Sequence, residues 1–135
     1  MLKLIIGKKG SGKTKTLIEM VNGAIEKSNG SVICLEKGDK LKYDVSYRCR
    51  LIDTDEYKVE SAASLYGFVA GLLASNHDIT DLFIDSALKI CGNDVATFEQ
   101  MVNDLNDLLA KVEVNAVFTS SIAAEDLPES LKAYL

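Results

Sequence analysis

The chain has 135 residues, 47% of them hydrophobic, which is enough for one domain with its own core. No apolar stretch approaches the ~20 residues that a bilayer crossing needs, and the opening run Met1–Ile6 is too short, and too soon followed by charge and glycine, for a secretory leader. The expectation is a cytoplasmic protein without a membrane partner. The net charge of −5 is unevenly spread: residues 1–50 carry eleven Lys/Arg against five Asp/Glu (+6), and residues 51–135 carry four against fifteen (−11).

In chain order, the apolar run Leu2–Ile6 predicts a first strand. A glycine-rich loop follows, then a helix from Thr14 with Leu17, Met20, Val21, Ala24 and Ile25 on one face, ended by Ser28-Asn29-Gly30. Ser31–Leu35 reads as a second strand, Glu36 to about Tyr47 as a polar, Lys-rich loop, and Cys49–Asp53 as a third strand. A helix from about Val59 to Asn76 lines up Ala63, Gly67, Ala70, Gly71 and Ala74 on one side. That side suits close packing on a sheet, or alternatively a subunit interface. Leu82–Ile84 is the next strand, ending in Asp85. An amphipathic helix over about 94–111 follows, with Val95, Phe98, Val102, Leu105, Leu109 and Val112 stepping by three and four. Ala116–Thr119 is a last strand, and Asp126 and Pro128 could start a short final helix. Strands alternating with helices predict a three-layer α/β/α sandwich with a mostly parallel sheet of about five strands, in a single domain over residues 1–135.

Residues 7–14 read Gly-Lys-Lys-Gly-Ser-Gly-Lys-Thr, a complete G-x-x-x-x-G-K-[ST] phosphate loop (the Walker A pattern) between a strand and a helix. From average residue usage the pattern arises by chance in roughly one chain in a hundred of this length. Gly7, Gly10 and Gly12 allow the backbone to curl so that its N–H groups form a nest for phosphate oxygens. With Lys8, Lys9 and Ser11 they make the expected nucleotide-binding loop. The following helix adds its positive end. Lys13 is expected at the β- and γ-phosphates, and the Thr14 hydroxyl on Mg²⁺. A second partner for the metal, a carboxylate, is expected from Asp81-Leu82-Phe83-Ile84-Asp85, an apolar strand ending in Asp, the Walker B pattern. Asp85 is its metal-positioning residue.

Phe-Ile-Asp-Ser-Ala-Leu at 83–88 resembles the Walker B segment of RecA- and KaiC-like ATPases of the P-loop NTPase superfamily. Ala-Val-Phe-Thr-Ser-Ser-Ile at 116–122 is similar to their polar-tipped sensor strand. The resemblance implies that this last strand lies between the phosphate-loop strand and the Walker B strand, with Thr119, Ser120 and Ser121 facing the γ-phosphate. It also implies a catalytic glutamate after the second strand, and Glu36 stands near that place although the local spacing departs from the family's. Asp39 and Asp53 are further candidates for the general base. Ser86 stands where many related ATPases carry a glutamate.

Other readings are limited by what is missing. Arg48 and Arg50 are the only arginines, too few for the clamps of nucleotide kinases. Each could serve a neighbouring subunit's nucleotide or lie on the surface. Residues 85–88, Asp-Ser-Ala-Leu, lack the Asp-x-x-Gly of GTPases, and no Asn-Lys-x-Asp occurs, so adenine is expected by elimination, with Tyr43 or Tyr47 as stacking partners. Cys34, Cys49 and Cys91 are odd in number and far apart, and His77 is near none of them, which predicts core cysteines and a surface histidine. Lys37, Lys40, Lys42, Tyr43, Tyr47, Arg48 and Arg50 faintly resemble a nucleic-acid stripe, but the acidic remainder opposes a polyanion. The leading expectation is a Mg-ATP-binding protein with slow or partner-stimulated hydrolysis. A non-hydrolysing nucleotide sensor or assembly module, a nucleoside-type small-molecule kinase and a nucleic-acid-linked motor are the alternatives. RecA-like domains often complete their sites across subunits, so the resemblance implies a homo-oligomer or a protein partner as a further expectation.

Overall fold

The computed structural model describes residues 1–135. Its elements are β1 (Leu2–Gly7), α1 (Lys13–Lys27), β2 (Ser31–Glu36), β3 (Arg50–Asp53), α2 (Ala62–Ser75), β4 (Ile79–Ile84), α3 (Ala87–Ile90), α4 (Val95–Val112) and β5 (Asn115–Ser121). Short 3₁₀ segments cover Thr54–Tyr57, Ala124–Asp126 and Glu129–Tyr134. The strands form one sheet in the order β1-β5-β4-β2-β3, and every neighbouring pair is parallel. β5 therefore lies between β1 and β4, the order that the resemblance implies.

Helices cover both faces, so central strands read as unbroken apolar runs. Val32, Ile33, Cys34 and Leu35 of β2 are all buried. Successive residues serve opposite layers. Val32, Cys34, Phe83 and Val117 pack with Leu17, Val21 and Ile25 of α1, while Ile33, Leu35, Leu82, Ile84 and Phe118 pack with α2 and α4. The α1 layer is the thinner one, completed by Leu41, Val45 and Cys49 from the segment between β2 and β3. All three cysteines are buried and unbridged.

Three expectations are corrected. α2 starts at Ala62 rather than near Val59, because Ser61 and Ser64 form a reciprocal cap: the Ser64 N–H donates to Ser61 Oγ at 3.1 Å, and the Ser61 N–H donates to Ser64 Oγ at 3.0 Å. α2 does not lay its small residues on the sheet. Leu65, Val69 and Leu73 take that place, and Ala63, Gly67, Gly71 and Ala74 are exposed. Val112 likewise leaves the apolar face of α4, where Met101 joins Phe98, Val102, Leu105 and Leu109. The short final helix expected from Asp126 and Pro128 is present in 3₁₀ form, Glu129–Tyr134 directly after Pro128, and buried Leu127 and Leu131 pin the segment.

The turn between α1 and β2 is tight. Gly30 N–H donates to Ser28 Oγ, and a Cβ at Gly30 would lie 2.2 Å from the Asp78 carbonyl oxygen. Only glycine permits that approach.

Candidate functional site

Parallel strands place their carboxyl ends on one edge, and open α/β sheets keep their sites there. At that edge β1 runs into the glycine-rich loop of residues 7–14. Gly12, at φ 88°, is the N-cap residue of α1 in a left-handed conformation that glycine adopts freely. No side chain caps this helix and its first turn holds no acid, so its free N–H groups remain available to an anion. Lys13 arches back over the loop: its ammonium donates to the Lys8 carbonyl at 2.8 Å and lies 3.5 Å from Ser11 Oγ. Lys9, Gly10, Gly12, Lys13 and Thr14 line a cleft of about 650 Å³. Gly7, Lys8 and Ser11 do not line it and instead shape the loop.

Across the cleft, β4 delivers Asp85. The Thr14 hydroxyl lies 3.3 Å from each Asp85 oxygen. Asp85 is held by its neighbour strand. The Thr119 hydroxyl donates to Asp85 Oδ1 at 2.6 Å and accepts the Ser86 N–H at 2.8 Å. Thr119 is 1% exposed, so both bonds are sheltered from water. A hydroxyl and a carboxylate are hard oxygen donors, the set that Mg²⁺ prefers. Thr14 and Asp85 thus fit the cation that the sequence implies.

Glu36 ends β2, whose register pairs Leu35 with Ile84. That pairing sets Glu36 beside Asp85, one residue further along each strand. Glu36 is 3% exposed yet lines the cleft. Its two oxygens accept the backbone N–H groups of Lys40 (2.9 Å) and Leu41 (3.2 Å). Burial raises its pKa above the ordinary carboxylate value; those two N–H groups oppose the rise, and the charges of Asp85 and Asp53 add to it. The other candidate bases are engaged elsewhere. Asp53 Oδ1 accepts from Gly38 N–H and Asp55 N–H, capping the Thr54–Tyr57 turn. Asp39 is exposed and pairs with Lys42 at 3.8 Å. Neither lines the cleft.

The tip of β5 is only partly as expected. Thr119 and Ser121 line the cleft. Ser120 points to the opposite face, as strand alternation requires. It is 1% exposed, accepts the Leu88 N–H and donates to the Thr119 carbonyl. Tyr43 and Tyr47 are 87% and 94% exposed and stand outside the cleft, so neither is placed to stack a base within it. Arg48 pairs with Glu26 at 2.8 Å, and Arg50 is exposed on edge strand β3. His77 is exposed.

Sequence reading missed part of the lining of this cleft. Lys40 follows β2, and Ser86, Lys89 and Asn93 follow β4. Lys89 lies in α3 and the other two flank it; α3 is only four residues long, too short to show a helical period. Its bounds are marked by left-handed residues, Ser86 (φ 58°) before it and Gly92 (φ 71°) and Asn93 (φ 60°) after it. Gly92-Asn93 was the one local signal for that turn. No helix of the structure is long and apolar enough to cross a membrane. No family model matches the chain, and a search of curated proteins finds no match.

Proposed function

We propose that the chain binds Mg-ATP at the loop of residues 7–14 and hydrolyses it slowly, as a small RecA-like member of the P-loop NTPases. The observation that carries this reading is the convergence of Lys13, Thr14, Asp85 and Glu36 on one polar cleft from three different stretches of chain. In this reading the loop amides and Lys13 hold the phosphates. Thr14 and Asp85 would hold Mg²⁺, which when bound would supply Lewis-acid stabilisation of phosphate charge. Thr119 fixes the Asp85 carboxylate. Glu36, in its ionised form, takes a proton from a water that attacks the γ-phosphorus while the bond to the departing diphosphate breaks. The absence of an arginine from the cleft fits slow turnover, since phosphoryl transfer is accelerated by such a charge supplied by a partner.

A non-hydrolysing sensor is favoured by one specific observation. Both Glu36 oxygens are already bound to N–H groups of their own loop. Single-turnover phosphate release separates the two readings. Release that is abolished by Glu36→Gln supports hydrolysis, and tight Mg-ATP binding with no release at all supports the sensor. Absence of Mg-ATP binding, in wild type and Lys13→Ala alike, would exclude both.

A further inference from the structure

The cleft carries more positive charge than a magnesium nucleotide uses. Six lysines line it (Lys9, Lys13, Lys15, Lys37, Lys40 and Lys89) against the carboxylates of Glu36 and Asp85. Lys37 is neutralised by Asp55 at 2.6 Å, so five lysines face two carboxylates. That surplus sits in a chain whose net charge is −5. Mg-ATP is a dianion and leaves part of the surplus unmatched.

The surplus also has a location. Lys9, Lys13 and Lys15 belong to the phosphate loop and the start of α1, at the end of β1. Lys40 follows β2 and Lys89 follows β4, three and two strands away in the sheet order. At ~4.8 Å per strand, those exits lie roughly 10–14 Å from the strand that cradles the phosphates. Neither Lys40 nor Lys89 has a carboxylate within ion-pair distance. The backbone at Lys89 is anchored: the other three residues of α3, namely Ala87, Leu88 and Ile90, are buried, and the lysine is the one exposed position. Ser86 and Asn93 flank it on the same wall, and Leu41 is the only hydrophobic residue of the whole cleft.

We propose that this wall is a second anion subsite, which takes the phosphate group of a small polar molecule bound beside the nucleotide. The wall supplies ammonium, hydroxyl and amide groups, all able to donate to phosphate oxygens. It offers no apolar shelf for a large or greasy ligand. The proposal rests on the nucleotide reading above, and deepens it by naming the class of the second ligand.

The test uses the full chain, saturated with Mg²⁺ and a non-hydrolysable ATP analogue so that the γ-position is filled. Inorganic phosphate is then titrated while backbone amide resonances are followed. The expected result is a single saturable site whose shifts concentrate at residues 40–41 and 86–93. Lys40→Ala/Lys89→Ala should weaken phosphate binding at least about tenfold, as loss of charged hydrogen bonds does, and by a larger factor than it weakens analogue binding. Lys89→Gln alone should give part of the loss, and Lys111→Ala, on α4, none. If the analogue binds but phosphate moves none of these amides, or the double variant binds phosphate like wild type, the subsite is overturned while the nucleotide reading stands. If the analogue itself does not bind, both fall. A single-stranded oligonucleotide that shifts the same amides at far lower concentration, with steep salt dependence, would make the wall a nucleic-acid surface and overturn the small-molecule assignment.

Discussion

Replacing Thr119 by valine keeps the shape of the side chain and removes its hydroxyl. That hydroxyl donates to the Asp85 carboxylate at 2.6 Å and accepts the Ser86 N–H at 2.8 Å, in a residue 1% exposed. A hydrogen bond to a charged partner contributes about 1.5–3 kcal/mol, and a buried N–H left without an acceptor costs about 1–3 kcal/mol. The added methyl returns up to about 0.8 kcal/mol through burial. The net expectation for Thr119→Val is a loss of about 2–5 kcal/mol, read as a lower midpoint in urea at unchanged slope. In a thermal scan the midpoint should fall by roughly 10 °C. Thr119→Ser retains the hydroxyl and should recover more than half of the loss. A double-mutant cycle with Asp85→Ala should show coupling of about 1 kcal/mol or more between the two positions. A valine variant within about 0.5 kcal/mol of wild type, or a serine variant as unstable as valine, would refute the view that Thr119 holds Asp85.

Other outcomes follow from particular contacts. Gly30→Ala should destabilise the chain by about 1–3 kcal/mol, because its Cβ would press on the Asp78 carbonyl at 2.2 Å and the backbone must shift; chemical denaturation reads the loss, and a neutral substitution would contradict the close approach. Glu36 gives a signed pH dependence. Its folded pKa is raised, so the folded state holds that proton more tightly, and the stability so gained is present below the unfolded value of about 4.3 and is lost as pH rises through the folded value. Wild type should therefore lose stability relative to Glu36→Gln across that window and no further above it; a difference that stays flat from pH 4 upward would contradict the raised value. Asp85→Ala should leave metal-free nucleotide binding within about twofold and remove most of the gain that Mg²⁺ brings, measured by titration with and without EDTA. Equal Mg²⁺ enhancement in that variant would dismiss Asp85 as a metal partner.

Much of the framework was legible because the relevant signals are contiguous. Strand β1, the loop and α1 lie within 27 residues, and each of their cues sits next to the one it needs. The runs Val32–Leu35 and Leu82–Ile84 are apolar without alternation because both faces of the sheet are covered. What sequence could not supply was register and facing. The approach of Glu36 to Asp85 depends on Leu35 pairing with Ile84, a contact between residues 49 apart in the chain that no local pattern encodes. α2 has no charged residue over Ala62–Ser75, so nothing in its pattern told the sheet face from the outer one, and bulk decided it in favour of Leu65, Val69 and Leu73. Ser120 looked like its neighbours Thr119 and Ser121, and strand alternation turned it away. Lys89 reached the cleft on a four-residue helix whose only announcement was a pair of left-handed residues after it.

The most direct measurement is calorimetric titration of Mg-ATP into the wild-type chain and into Lys13→Ala. The account predicts one saturable site in the wild type. It also predicts a thermal midpoint that rises by several degrees at a hundredfold excess over the dissociation constant, equivalent to about 2.7 kcal/mol, and a large loss of both in the variant. No heat and no midpoint shift in the wild type, or identical binding by the two proteins, would contradict it.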